Sequence, residues 1–397
     1  MKYDFAIIGS GIIGLTLAFK LKLKFNNSNI IIFEKEPNSI SHGSGRNSGV
    51  LHSGIYYDPG SLRANLCTTG VKELKDYIKS EKLWINECGK LLIPTSKFSD
   101  SNLENLFERA KNNGVEVHKI KSTEIESLEP NINCQFKYGL HVPFTSVADP
   151  KEVSESLIRN LKKMNVNFKY NSKILKIISN EVITKDDKIA AGKIFNCAGL
   201  FADEVAKKSN LEFRFSFLPF KGKYWKIKNK NFKLNHLIYP IPDLRYPFLG
   251  LHSSHNRNGD FFIGPSSTPV FGREQYDGFF GDSISESLSL FLNFSKKIIF
   301  NENKLRSLAV KEMLLLTKYG FFNEIQKMFK NIRPDELELS EHKIGIRSQI
   351  FDPNKKSLVN DFVVINQDHT THVLNAISPA WSASFAFADY LIDKAKL

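Results

Sequence analysis

Five side chains that can bind or move charge, Arg46, Asn47, His52, Tyr56 and Tyr57, fall within one short stretch, SGRNSGVLHSGIYY, from Ser44 to Tyr57. An imidazole titrates near neutrality and can take or give a proton, and a guanidinium holds anions. The stretch has too many glycines and serines for a core helix and too little alternation for a strand. Small residues let a backbone approach a ligand closely. The stretch therefore reads as a loop lying along something bound, and the elements before it say what.

Tyr3 to Ile8 is a β-branched and aromatic run that ends at Gly9, followed by GSGIIG and the apolar-periodic LTLAFKLKLKF. This is strand, glycine turn, helix. The next run, NIIIFEKE, is a second strand ending in Glu34 and Lys35, with Glu34 twenty residues beyond Gly14. Gly9 permits the tight turn, Gly11 lets a pyrophosphate approach the backbone, and Gly14 lets the helix pack against the strand. The helix that Ile12 opens supplies free N–H groups and a positive dipole to phosphates, and Glu34 accepts from ribose hydroxyls. The unit predicts dinucleotide binding. Lys20, Lys22 and Lys24 read as cations near the end of that helix, with no chemistry of their own.

Composition sets the outer limits. The chain has 397 residues, 42% apolar and 24% charged, which is ordinary for a globular protein of two connected domains. Lys and Arg number 55 against 42 acids, a net charge of +13 that suits nucleic acid, an anionic membrane or anionic small molecules. The lysines are scattered, which favours a solvated basic surface and argues against nucleic acid. Cys67, Cys88, Cys134 and Cys197 show neither CxxC pairing nor zinc spacing, so structural disulfides and metal sites are not expected. The N-terminus MKYDFAIIG reads as no leader, and no run of eighteen apolar residues occurs. The expected location is cytoplasmic. Peripheral contact with the inner membrane is the further option, because FLNFSKKIIF mixes apolar and basic residues as an interfacial helix does.

After Glu34 a nicotinamide enzyme would continue in alternating βα units, whereas this chain enters the glycine and serine loop. The segment resembles the loop after the second strand of the glutathione-reductase-like FAD fold. More narrowly, it resembles the glycine/D-amino-acid oxidase family, whose members run this loop along the FAD. Gly43, Ser44, Gly45, Asn47, Ser48 and Gly49 match that use. The motifs NSGVLHSGIYYDPGSLRANLC, ECGKLLIPT, PFKGKYWKI, LIYPIPDLRYPFLGLH, GIRSQIFD and VNDFVVINQDHTTHVLNAISPAWSAS, in that order, resemble the L-2-hydroxyglutarate dehydrogenase/oxidase group within it.

The resemblance implies an FAD enzyme that oxidises L-2-hydroxyglutarate, or a close 2-hydroxy acid, to the 2-oxo acid by hydride transfer to flavin N5. Electrons would pass on to a quinone or to oxygen. It implies backbone near the adenine at Ile174, and a return of the chain to the FAD at Ala198 and Gly199 in NCAGLFAD. It also implies a helix N-terminus at Pro379, Ala380 and Ser382 that stabilises negative charge at the flavin's pyrimidine end. Trp381 departs from the pattern, which mostly has a small residue there; it walls the substrate pocket or packs on the next helix. His52 and His252 both match family positions for the base, and the sequence does not rank them. Arg347 matches an arginine that clamps the substrate carboxylate, a task suited to a planar bidentate donor. For the second carboxylate of a five-carbon diacid the matching motifs offer Lys223, Tyr224, Tyr239 and Arg245, and Tyr57 faces the substrate from the loop. His255, His369 and His372 are expected on the surface or in loops.

The implied fold is α/β: a glutathione-reductase-like Rossmann domain for FAD, residues 1–80, 145–210 and 335–397, interleaved with an antiparallel-sheet α+β substrate domain, 81–144 and 211–334. Within the latter, SISESLSLFLNFSKKI and RSLAVKEMLLLTKYGFFNEIQKMF each predict a helix. Two alternatives remain beside the main reading: an amine-oxidising enzyme of the same fold acting on an amino acid, and a flavoprotein acting on RNA.

Overall fold

The computed structural model describes residues 2–243, 248–281 and 283–397, with His342 described by its backbone alone. Tyr3–Ile8 (β1) is buried along nearly its whole length, as a central parallel strand must be. It pairs parallel with Ile30–Phe33 (β2) on one side, Ile7 opposite Ile32, and with Lys188–Asn196 on the other, Ile7 opposite Phe195. Asn167–Lys169 extends the sheet beyond β2, and Thr370–Val373 extends it beyond Lys188–Asn196, both parallel. The hairpin Lys176–Ile178 and Glu181–Ile183 and the edge strand Val364–Gln367 complete it.

The helix Ile12–Lys24 (α1) packs with Leu62–Ser80, Pro150–Lys163 and Ala380–Lys394 in one apolar cluster that includes Leu15, Leu74, Leu157 and Phe387. The last two strides of that packing are close. A Cβ on Gly70 would stand 2.7 Å from the Ala383 carbonyl oxygen, so only glycine lets Leu62–Ser80 cross Ala380–Lys394 at this spacing. Lys20 pairs with Glu73 at 2.6 Å and Asp389 at 2.8 Å, which ties three of these helices together; its expected role as a mere end charge is too modest.

Two larger sheets, beside two small three-stranded ones, form much of the other half. One runs Leu237–Pro240, Lys90–Ile93, Tyr138–Val142, His118–Lys121, its first pair parallel and the rest antiparallel. The other is antiparallel and joins His252–His255, Phe261–Gly264, Phe220–Ile227 and Leu337–Arg347. Leu337–Arg347 pairs along the length of Phe220–Ile227, so we propose that the cofactor half resumes after Arg347 rather than at 335. The sequence could not show this, since a half-buried strand reads alike in either sheet.

The helix Ile284–Ile299 forms where predicted. The long helix expected next is two, Leu305–Leu315 and Lys318–Ile325. Thr317 caps the second through the Gly320 N–H at 3.0 Å, the behaviour that makes threonine a helix start. The halves are joined at a buried fork, where Arg273 donates to both carboxylate oxygens of Asp203 at 2.6 and 2.9 Å.

Candidate active site

A cavity of about 1060 Å³ opens between the halves, lined by residues of both. That is at the top of the roughly 300–1,000 Å³ usual for small-molecule sites, room for a large cofactor with a substrate beside it. One end is the glycine turn. Gly9 has φ +102°, and a Cβ there would stand 2.5 Å from the Cys197 carbonyl oxygen; one on Gly14 would stand 2.1 Å from the Gly9 oxygen. Gly9, Gly11 and Ile12 line the cavity, while Gly14 lies behind them and serves the packing of α1 on β1, as its spacing predicts. The Ile12 N–H donates to Ser44 Oγ at 2.8 Å, which docks the loop on the helix N-terminus.

Glu34 is held from three sides. Its Oε2 accepts from the Ser10 N–H at 2.9 Å and the Ser10 hydroxyl at 2.7 Å, and its Oε1 accepts from the Glu36 N–H at 3.0 Å. A carboxylate has about four acceptor positions, so one remains for a ribose hydroxyl. Lys35, Ser44, Asn47, Ser48, Ile174, Ala198 and Gly199 complete this wall. A glycine turn packed too closely for side chains, beside a fixed acid, fits the pyrophosphate and adenosine of FAD. Asn47 shapes the loop: its amide donates to the Ser44 carbonyl at 2.8 Å and accepts from the Gly49 N–H at 2.8 Å.

At the other end His52, Tyr56, Tyr57, Tyr224, His252 and Arg347 meet Pro379, Ala380 and Trp381. His252 lies on the strand His252–His255 and shares its Nδ1 proton with the Gly250 carbonyl at 2.8 Å, which leaves Nε2 as the proton acceptor. Burial pushes its imidazole down to about 3, and Arg347 and Lys90 add to the push. Burial also carries His52 well below the ordinary range, with Lys90, His252 and Arg63 in the same direction. Both rings are therefore neutral at neutral pH. Arg347 donates to the Ser266 carbonyl at 3.1 Å and Ser267 Oγ at 3.2 Å, and faces no carboxylate at ion-pair distance among the described residues. Trp381 does both things expected of it: it lines the cavity and packs in the main apolar cluster.

Several expected contacts lie elsewhere. Gly49, φ +77°, does not line the cavity; a Cβ there would stand 2.2 Å from the Ala148 oxygen, so its role is the approach of Val50–Leu51 to Ser146–Ala148. Ser382 also misses the wall, and its hydroxyl accepts from the His52 N–H at 2.9 Å, fixing the histidine's backbone to the C-terminal helix. Gly222 and Tyr224 line the cavity and Lys223 between them does not, because strand neighbours point to opposite faces. Tyr239 is buried behind His252, ring centroids 4.0 Å apart, rather than on the wall. Arg245 lies outside the described residues. His255 and His372 are buried strand residues rather than surface ones, His372 bonded to Asn196 at 3.0 Å.

The sequence reading missed three groups. Arg63 lines the substrate end, stacked over Tyr57 at 4.4 Å, and its Nε has no protein partner. Across the adenosine end, His42 meets Tyr276 Oη at 2.6 Å and Glu36 at 3.0 Å, and Lys35 bridges Glu36 and Glu274. Lys90 is wholly buried beneath Tyr56. Only Lys90 carried a usable signal, a lysine inside the otherwise apolar run CGKLLIP.

Comparison with known proteins gives one consistent picture. The model of the DAO family, described as FAD dependent oxidoreductase, matches residues 4–393. The L-2-hydroxyglutarate dehydrogenase of Escherichia coli K12 is 31% identical over 398 residues, covering 99% of this chain and 93% of that protein. The mitochondrial L-2-hydroxyglutarate dehydrogenase of Dictyostelium discoideum is 32% identical over 425 residues, with 99% and 92% covered. Among solved structures, the L-alpha-glycerophosphate oxidase of Mycoplasma pneumoniae with FAD bound superposes with a TM-score of 0.79 at 19% identity, covering 100% of this chain and 95% of that one. Glycine oxidase from Geobacillus kaustophilus gives 0.69 at 14%, with 100% and 95% covered.

Proposed function

Because the chain belongs to the FAD-dependent oxidoreductase (DAO) family, we propose that it oxidises L-2-hydroxyglutarate to 2-oxoglutarate and passes the electrons to a quinone or to oxygen. When bound, FAD supplies the two-electron acceptor. The protein's share is to hold the acid, take its hydroxyl proton and keep water away. Arg347 presents a guanidinium fork for the carboxylate beside the reacting carbon. His52 and His252, neutral and at the same end of the cavity, are the proton acceptors. Arg63, which lines the same end, is the cation offered to the second carboxylate. The first turn of Ala380–Lys394 brings backbone of Pro379 and Ala380 to the wall with its positive dipole.

The observation that carries this reading is a half-buried arginine with no carboxylate at ion-pair distance among the described residues, at the same cavity end as two neutral histidines. A site so charged is incomplete until an anion enters. The test is anaerobic mixing of the yellow protein with L-2-hydroxyglutarate, its D enantiomer, L-lactate, glycerol 3-phosphate and L-amino acids, following the flavin band. Bleaching by the L-hydroxydiacid alone is the expected result. Bleaching by an amino acid alone would assign the chain to amine oxidation instead.

For the electron route we propose peripheral membrane contact. No helix of the described residues is long and apolar enough to cross a membrane. However, Ile284, Leu288, Leu292, Ile299 and Phe300 stand exposed on and beside Ile284–Ile299, with Val310, Met313 and Leu314 exposed on the next helix. Lys296 lies exposed in the last turn of the first of these helices, while Lys297 is turned inward over Phe351. An apolar face beside an exposed cation suits an anionic bilayer. The protein should sediment with anionic lipid vesicles and lose this on Leu288→Glu with Leu292→Glu; no sedimentation by the unaltered protein would end the idea.

A further inference from the structure

Lys90 begins the strand Lys90–Ile93 and points into a cluster with Leu92, Val142, Tyr56 and Tyr239. Its side chain is fully buried, and its Nζ has no hydrogen-bond partner in the protein. It sits 4.5 Å from the Tyr56 ring centre and 5.0 Å from that of Tyr239, two rings that are themselves stacked 6.3 Å apart. The hydroxyls of both tyrosines are buried and unpartnered as well. On its far side Tyr239 stacks on His252 and meets the edge of His52 at 6.4 Å. Burial pushes the Lys90 ammonium down to about 7, with Cys67 pulling the other way.

An unpaired amine in an apolar cluster weakens a fold. Methionine has similar length and no charge, so stability alone gives no reason for lysine here. The surroundings give another. Facing Lys90 are Cys67 from Leu62–Ser80, His52 and Tyr56 from the loop, Tyr239 from Leu237–Pro240 and His252 from His252–His255, with Arg63 and Arg347 beyond the histidines. No carboxylate is among them. A cation in that position repels a proton from both imidazoles.

We propose that Lys90 is a positioning residue whose buried ammonium, held between the rings of Tyr56 and Tyr239, keeps His52 and His252 unprotonated until an anionic substrate enters. The dianion then offsets the repulsion, so the histidines become better proton acceptors only when the hydroxyl to be deprotonated is present. This rests on the histidines being the proton acceptors of the proposed reaction.

The test is Lys90→Met holoenzyme, with Lys90→Gln as a second variant. Two pH profiles are measured: the anaerobic rate of flavin bleaching, and the binding of glutarate, a five-carbon diacid without a hydroxyl, read from the flavin spectrum. In both variants the acid limb of bleaching and the rise in glutarate affinity on acidification should move to higher pH by on the order of one unit. The melting temperature of Lys90→Met should equal or exceed that of the unaltered protein. Unmoved profiles with a lowered melting temperature would make Lys90 structural and overturn the proposal. So would a raised KM for the diacid with unmoved profiles, which would mean that Lys90 holds substrate directly. If the unaltered protein is bleached only by a different substrate, the assignment of L-2-hydroxyglutarate has failed, and the profiles are read with that substrate.

Discussion

At the Gly9 end of the cavity the polar groups satisfy one another, whereas at the His52 end many satisfy nothing. Glu34 is bonded by Ser10 and Glu36, Asn47 by its own loop, and the Ile12 N–H by Ser44. Around the other end, His52 Nδ1, Tyr56 Oη, Arg63 Nε, Lys90 Nζ, Tyr239 Oη and Trp381 Nε1 are buried without a protein partner. An unmet buried polar group costs about 1–3 kcal/mol, so those on the cavity-lining His52, Tyr56, Arg63 and Trp381 point to a ligand, while Lys90 and Tyr239 lie behind the wall. The first end is a finished mould for the cofactor. The second holds polarity in reserve for a substrate that comes and goes.

This contrast can be broken from either side. The largest effect is expected from Gly14→Val, whose side chain would drive α1 off the Gly9 carbonyl: the protein should purify colourless and stay so with added FAD. A yellow Gly14→Val protein with a normal flavin spectrum would show that the mould tolerates what the geometry forbids. At the other end, His52→Gln and His252→Gln should both keep their flavin. For the histidine that takes the proton, anaerobic bleaching should slow by roughly 10²–10⁴-fold. Rates within about threefold of the unaltered enzyme in both variants would remove imidazole from the chemistry. Arg347→Met should likewise stay yellow and lose roughly 10²-fold in kcat/KM for the acid, the cost of about 3 kcal/mol for one charge-assisted clamp. Lysine at that position should restore only part, since it lacks the planar fork.

The smallest effect sharpens the contrast through a histidine at the finished end. His372 is buried, bonded to Asn196, and pushed by burial from 6.5 down to about 4. Its folded value is depressed, so its contribution to stability is complete above about pH 6.5 and declines as pH falls toward 4. The slope is about 1.4 kcal/mol per pH unit for one such group. The melting temperature should fall across that window, and less steeply in His372→Gln; an equal slope would place the acid sensitivity elsewhere.

How far the sequence could be read follows the same division. The Gly9 end is local: glycine spacing, a helix and an acid within Tyr3–Lys35 state its geometry almost fully, because a turn that admits only glycine leaves its mark in sequence. The substrate end is assembled from Tyr57 and Arg63, Tyr224, His252 and Arg347, four stretches far apart in the chain. A resemblance located some of them, but nothing local separates Tyr224, which faces the cavity, from Lys223, which does not. Lys90 escaped although its place in the apolar run CGKLLIP hinted at burial, because only the fold shows which groups it faces. Ser382 misled for a related reason: its place at a helix N-terminus suggested a cofactor contact, while its hydroxyl holds His52.

The helix Ala380–Lys394 packs against α1 and Leu62–Ser80, and its first turn walls the cavity. The mould that opens with Gly9 is thus completed by residues far from it in the chain. A nascent chain can lay down β1, α1 and β2 early, yet it has no closed cradle until this helix has left the ribosome. Closure of the cradle therefore waits on Ala380–Lys394, and a chain cut short before Ala380 should purify without flavin although it holds every glycine of the fingerprint.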